Sequence, residues 1–118
     1  MKKLTLIVYF CFLLSAQAAI TERQVDKLAD IIFKIENSKR YPYGIKSVNT
    51  NGNADYARKI CKNTIRNNYV RWENAGKPDS YFNFLANRFC PKKDDPIGNT
   101  NWKKNVKVHA EKNGLVIK

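Results

Sequence analysis

The feature that most constrains the fold is an amphipathic segment that ends just before Pro42. Thr21 and Gln24 have the spacing of a capping box, so we predict a helix from Glu22 to about Asn37. Apolar residues recur along it at steps of three and four, which is typical of a helix with one buried face. The face consists of Val25, Leu28, Ala29, Ile32 and Ile35. The helix must end before the proline, because the residue ahead of a proline disfavours helical backbone.

Glu36 lies on this apolar face, four residues after Ile32. Carboxylates are usually kept off apolar faces, because desolvation of the charged form is costly. A carboxyl group placed there either has a buried partner, or has a raised pKa and donates a proton. Alternatively, the tip of Glu36 reaches solvent or pairs with Lys39 or Arg40. The sequence leaves both interpretations open.

The first eighteen residues have the pattern of a signal peptide. A short basic start with Lys2 and Lys3 is followed by an uncharged apolar run from Leu4 to Leu14, and Ala16-Gln17-Ala18 has the small-x-small form of a cleavage site. Cleavage after Ala18 leaves residues 19–118, a single domain of ordinary size. An uncleaved anchor is the alternative, although the run is shorter than the ~20 residues that span a bilayer. We therefore expect an exported protein, periplasmic or secreted, with no stable membrane anchor after cleavage.

Two cysteines, Cys61 and Cys90, remain in the mature chain. An even number of cysteines in an exported chain predicts a disulfide, which would contribute about 3–4 kcal/mol. Metal binding is the alternative, but two separated cysteines and a single histidine make a poor metal site. We expect neither a metal nor another cofactor.

The chain is strongly basic. Its formal charge is +12, with 22 Lys and Arg against 10 Asp and Glu, and loss of Lys2 and Lys3 with the signal peptide lowers it to +10. This charge implies an anionic partner, such as nucleic acid, an acidic membrane surface or the bacterial wall. A single histidine and the lack of a basic-aromatic repeat disfavour nucleic acid. We expect a monomer whose partner is the anionic cell-wall surface.

The rest of the pattern predicts an α+β domain, mostly α-helical, with about four helices and a small strand or hairpin after the first. The strand is predicted over Tyr43–Val48, and Asn51-Gly52 indicates a tight turn. The later helices are predicted over about 53–74, 80–89 and 101–112. Residues 92–99 are interpreted as an irregular loop, and Thr100 as the cap of the last helix.

Several polar and aromatic side chains are candidates for ligand binding. Tyr43 and Trp102 flank polar loops, where a ring beside polar groups suits the face of a sugar. Ser47 belongs to a polar group that follows Glu36. The alternatives are that the rings fill a small core and that the polar group is simply a turn. His109, the single histidine, is interpreted as structural.

Taken in order, these residues resemble a known family. The matching elements are Glu36 at a helix end, Tyr43-Gly44-Ile45, the segment 84–91, and Asn99-Thr100-Asn101-Trp102 followed by Val106. Their order and spacing are similar to the lysozyme-like superfamily, in particular to small exported or phage-borne lytic transglycosylase and muramidase domains. The resemblance implies a cleft between the first helix and the later helices. It also implies Glu36 as the catalytic acid, with Tyr43, Ser47, Asn101 and Trp102 lining the sugar groove.

The resemblance implies an exported enzyme that cleaves the MurNAc-GlcNAc bond of peptidoglycan. Phage-type lysozymes have an aspartate about nine residues after the glutamate, and here that position is Ile45. A mechanism that uses Glu36 alone, as acid and then base, therefore fits better than a carboxylate pair. The alternative is a non-catalytic wall-binding or superinfection-blocking protein on the same scaffold.

Overall fold

Four α-helices and one 3-10 turn form the regular structure of the protein. A computed structural model describes residues 19–46 and 49–118; the predicted signal peptide and Ser47 lie outside these residues. The elements are α1 (Glu22–Glu36), the 3-10 turn (Pro42–Gly44), α2 (Ala54–Asn74), α3 (Tyr81–Phe89) and α4 (Pro96–Lys112). No helix in the described ranges has the length and apolarity needed to cross a membrane.

The first helix forms as predicted, with both bonds of its capping box. The backbone N–H of Gln24 donates to Oγ1 of Thr21 (3.1 Å), and the Thr21 N–H donates to Oε1 of Gln24 (2.8 Å). The helix ends at Glu36, because Asn37 adopts left-handed backbone (φ 41°) and closes the last turn through a bond to Phe33. The predicted apolar face is buried except for Ile35, which is partly buried.

A ladder of ion pairs runs along the antiparallel contact of α1 with α2. Acidic residues at four-residue intervals on α1 face basic residues at the same interval on α2, and the pairs are Asp30–Arg58, Asp26–Arg58, Asp26–Lys62, Glu22–Lys62 and Glu22–Arg66. Exposed pairs each contribute little free energy, but all five are consistent with one register of α1 on α2. Glu36 takes no part in the ladder and lies at the opposite end of α1 from Glu22.

The strand predicted over residues 43–48 is wrong where the structure describes it. Tyr43 (φ 60°) and Gly44 (φ 70°) both have left-handed backbone, which an extended strand cannot accommodate. The chain forms a 3-10 turn instead, closed by the N–H of Ile45 on the carbonyl of Pro42 (3.3 Å). The tight turn predicted at Asn51-Gly52 is confirmed, since both residues have positive φ, but no strands flank it in the described residues.

The last helix begins earlier than predicted, at Pro96. Asp95 is its N-cap and accepts a hydrogen bond from the N–H of Gly98 (2.9 Å), while Pro96 occupies the first turn, where its missing N–H costs nothing. Thr100, predicted as the cap, lies inside α4 and donates to the carbonyl of Pro96 (3.1 Å). The buried Asn99 donates to the carbonyl of Cys90 (2.8 Å), which ties the start of α4 to the end of α3.

The predicted disulfide is absent, because Cys61 and Cys90 are free thiols in the structure. Cys61 is fully buried on α2 and packs as a small apolar core residue. Burial raises the pKa of its thiol to about 12, so it stays neutral and unreactive at physiological pH. Cys90 is the half-buried C-cap of α3.

Candidate functional site

Glu36, the last residue of α1, carries a partly buried carboxyl group. Its Oε1 accepts a hydrogen bond from the indole N–H of Trp102 on α4 (3.1 Å). Across residues 19–46 and 49–118, no ion pair joins Glu36 to Lys39, Arg40 or any other cation. The carboxyl group is thus held by a neutral donor from another helix and not by a surface lysine.

Gly44 allows the 3-10 turn to approach this carboxyl group closely. A Cβ atom on Gly44 would lie 2.6 Å from both Cδ and Oε2 of Glu36, so the carboxyl group would have to move to admit it. The positive φ of Gly44 (70°) also favours glycine. The carboxyl group therefore lies directly against the backbone of the turn. Oε2 is the nearer oxygen to the Cβ position of Gly44 (2.6 against 3.0 Å for Oε1), and Oε1 also contacts Trp102.

The Trp102 ring is fixed by its own packing. It is only 6% exposed and stacks on Phe89 of α3, with 5.4 Å between ring centroids and an interplanar angle of 13°. Since both rings are held by helices, the indole N–H is aimed at Glu36 before any ligand binds.

The pKa of Glu36 is raised above its ordinary value. Burial is the main cause, because it penalises the charged form. The hydrogen bond from Trp102 and the positive charge of Lys46 act in the opposite direction and moderate the increase. A carboxyl group in such surroundings stays protonated to higher pH than an exposed one and can act as a general acid.

A cavity lies next to the Glu36 carboxyl group, and a second cavity shares one lining residue with it. The first, of about 220 Å³, is lined by Gly44, Ile45, Lys46, Ile60, Thr64, Arg88 and Phe89. It is next to Glu36 because Gly44 contacts the carboxyl group and Phe89 stacks on Trp102. Its wall mixes apolar side chains with a hydroxyl group and two cations, the kind of lining that fixes the orientation of a polar ligand.

The second cavity, of about 480 Å³, is lined by Arg40, Tyr41, Lys46, Asn49, Thr50, Asn51 and Gly52. Lys46 lines both cavities, so the two adjoin. Neither set of described lining residues contains an aspartate or a glutamate. Glu36 is itself not among the described lining residues, and it borders the first cavity through Gly44.

The structure brings Glu36 and Trp102 together, whereas Tyr43 and Asn101 are not among the described lining residues of either cavity. Tyr43 is 5% exposed, and its hydroxyl accepts a hydrogen bond from Arg58 of α2 (3.2 Å), so its ring is buried away from both cavities. Asn101 is exposed on α4 and is not one of the described lining residues. Ser47 lies outside the described residues.

None of the seven described lining residues of the first cavity was predicted as a site residue: Gly44, Ile45, Lys46, Ile60, Thr64, Arg88 and Phe89. Ile60 and Thr64 are one helical turn apart, a spacing that predicts a core face, and they form the wall of the cavity instead. Gly44, Arg88 and Phe89 belong to the segments that carry the family resemblance. The resemblance is therefore the feature of the sequence that points to them.

No family model, curated protein or solved structure matches this chain. In the described part of the chain, no group of three or more His, Cys, Asp and Glu side chains is arranged to hold a metal ion. What the protein does must therefore be inferred from Glu36 and its surroundings.

Proposed function

We propose that this protein is an exported, lysozyme-like enzyme that cleaves the MurNAc-GlcNAc glycosidic bond of peptidoglycan, with Glu36 as its general acid. The observation that carries the proposal is the position of the Glu36 carboxyl group. It lies between a glycine backbone and a tryptophan N–H, beside a cavity, with a raised pKa and no cation paired to it in the described residues. Glycosidic cleavage requires such a protonated carboxyl group at the leaving oxygen.

The two carboxyl oxygens are suited to different tasks. Oε1 accepts the hydrogen bond from Trp102, which fixes the plane of the group. Oε2 lies beside Gly44, which lines the first cavity, so we place the acidic proton there. In the first step, this proton passes to the glycosidic oxygen as the bond to the muramoyl anomeric carbon breaks, leaving Glu36 as a carboxylate.

For the second step, no Asp or Glu is among the described lining residues of either cavity to supply a further carboxylate. The Glu36 carboxylate takes the proton of the muramoyl 6-hydroxyl group, and the hydroxyl oxygen bonds to the anomeric carbon. The product is a 1,6-anhydromuramoyl end, and Glu36 is again protonated. One carboxyl group thus serves as acid and then as base, with no water consumed.

A non-catalytic wall-binding protein on the same scaffold is the second candidate. The observation that favours it is the same lack of a second carboxylate in the described lining, because a site that only binds a glycan needs none. Such a protein would still use the cationic cavities but would have no need of a proton on Glu36.

The test is incubation of the mature chain, residues 19–118, with purified insoluble peptidoglycan, followed by mass analysis of the soluble muropeptides. The proposal predicts release of muropeptides with 1,6-anhydro ends. Reducing ends would replace the single-carboxylate mechanism with hydrolysis. Sedimentation of the protein with the wall and no soluble product would instead support the binding protein.

A further inference from the structure

We infer that the second cavity is an anion-binding subsite that receives the carboxylate-bearing substituent of the muramoyl sugar, clamped between Arg40 and Lys46. The identity of the ligand rests on the proposed function, whereas the anion preference follows from the cavity itself. The substituent is the lactyl group with its attached peptide, whose carboxylates are the negative charges of the glycan strand.

Arg40 and Lys46 converge on one aromatic ring. The guanidinium carbon of Arg40 lies 5.3 Å from the centroid of the Tyr41 ring, and Nζ of Lys46 lies 5.6 Å from the same centroid. The two charges are therefore no more than about 11 Å apart. Cation-π attraction of about 0.5–1 kcal/mol at exposed sites helps to hold each of them at this wall of the cavity.

Neither cation forms an ion pair with a described carboxylate, although the charge of Lys46 acts on Glu36. The ion pairs of the described residues use Arg58, Lys62 and Arg66 of α2, whereas Arg40 and Lys46 have none. Two like charges beside one cavity repel each other, and an anion between them removes that repulsion and gains two attractions. The cavity therefore favours a ligand that carries negative charge.

Neutral donors complete the lining. Oδ1 of Asn49 accepts a hydrogen bond from the N–H of Asn51 (3.0 Å), and the opposite side of the Asn49 amide is its NH2 group. That group can donate to a carboxylate oxygen beside the two cations. The turn at Asn51-Gly52 thus orients a donor as well as reversing the chain.

The position of Lys46 explains why this anion would belong to the scissile sugar. Lys46 lines both cavities, so a group bound to it lies next to the cavity beside Glu36. In a muramoyl sugar, the lactyl substituent and the scissile anomeric carbon are on the same ring. A carboxylate subsite that adjoins the acid is the arrangement this substrate requires.

The experiment is an NMR titration at low ionic strength with the dipeptide N-acetylmuramyl-L-alanyl-D-glutamate and with its dimethyl ester, in which both carboxylates are neutral. We expect the acid to bind at least tenfold more tightly than the ester, with shifts at Tyr41 and Asn49. The double variant Arg40→Ala/Lys46→Ala should lose this preference. A matched control, Lys39→Ala/Lys104→Ala, removes the same charge from exposed positions outside both cavities and should keep it.

Equal affinity for acid and ester, or an equal loss in both double variants, would overturn the inference. Displacement of the dipeptide by equimolar inorganic phosphate would overturn the commitment to a glycan carboxylate. The titration is repeated in Glu36→Gln, where binding should persist. Wall cleavage without tighter binding of the acid than of the ester would therefore contradict the subsite alone. Tighter binding of the acid without wall cleavage would contradict only the catalytic proposal.

Discussion

At the scale of single residues, the site depends on opposing effects on one carboxyl group. Burial of Glu36 disfavours its charge, and Trp102 and Lys46 favour it. The balance leaves the pKa raised but the group hydrogen-bonded, so it is oriented without being locked in its charged form. This is what separates a proton donor from a buried salt bridge, in which a paired cation would lower the pKa.

Glu36→Gln should stabilise the fold at neutral pH. A raised pKa means that Glu36 contributes its full stability only below its unfolded pKa, and that stability is lost as the pH rises through the folded pKa. Glutamine keeps an acceptor for Trp102 and carries no charge, so we expect a gain of up to about 1 kcal/mol near pH 7, after allowance for solvent screening.

The gain should vanish near pH ~3.5, where Glu36 is protonated in both states. Urea unfolding at the two pH values measures it. The control is Glu111→Gln at an exposed position of α4. A loss of stability in Glu36→Gln at neutral pH would show that the carboxylate is favoured by the fold.

Trp102→Phe tests the hydrogen bond to Glu36. The variant keeps a ring to stack on Phe89 but removes the N–H donor. A hydrogen bond to a charged acceptor contributes about 1.5–3 kcal/mol to the free energy of unfolding, and the variant loses it when Glu36 is ionised. Because this bond lowers the pKa of Glu36, the pKa should rise further. The rate of wall cleavage falls as the pH rises through that pKa, so the basic limb of the pH profile should move to higher pH. An unchanged carboxyl titration by ¹³C NMR would contradict the contact.

At the scale of elements, the 3-10 turn positions the acid. Gly44→Ala and Gly76→Ala impose similar backbone strain, since both glycines have positive φ, but a Cβ on Gly76 meets nothing within 4 Å. We expect Gly44→Ala to lower the free energy of unfolding, measured by urea denaturation, by about 1–3 kcal/mol more than Gly76→Ala, because of overpacking against Glu36. Displacement of the carboxyl group by about 1 Å should also lower cleavage about 100-fold. Equal stability and activity in both variants would show that the turn does not contact the acid.

The start of α4 can be tested at its cap. Asp95→Ala removes the acceptor for the Gly98 N–H and should cost about 1 kcal/mol. Thr100→Ala, inside the helix, should change the free energy of unfolding by less than about 0.5 kcal/mol. Thermal unfolding of the two variants measures the difference, and the reverse order would place the helix start at Thr100.

At the scale of the whole molecule, the candidate site is assembled from segments far apart in the chain. Glu36 ends α1, Trp102 comes from α4, Phe89 comes from α3, and the turn at Gly44 closes over the carboxyl group. The buried apolar face of α1 orients the helix, and the ion-pair ladder is consistent with the same orientation. The acid is thus positioned by the packing of all these elements together.

This dependence on packing explains which parts of the structure can be predicted from the sequence and which cannot. Capping and periodicity are local, so α1, α2 and α3 were predicted closely, and the helical phase correctly gave Glu36 its inward position. The strand prediction is wrong because two successive residues, Tyr43 and Gly44, have positive φ, which the alternation of residue types does not reveal. The predicted start of α4 is too late. Asp95-Pro96 is typical of a loop, but it is equally typical of an N-cap followed by proline.

The cavity walls could not be predicted in the same way. Thr64 and Phe89 lie on different helices, and their proximity depends on how α2 and α3 pack. Tyr43 illustrates the opposite error, since a ring beside a polar loop is turned inward by a hydrogen bond from Arg58.

The most direct test of the central claim is muropeptide release from purified peptidoglycan by the wild-type chain, Glu36→Gln and Glu111→Gln. If Glu36 is the general acid, Glu36→Gln should lose at least 100-fold in release rate, in line with the ~10²–10⁴-fold that acid-base catalysis contributes. It should remain folded and still bind the wall, while Glu111→Gln keeps the wild-type rate. Release by Glu36→Gln at the wild-type rate would contradict the account.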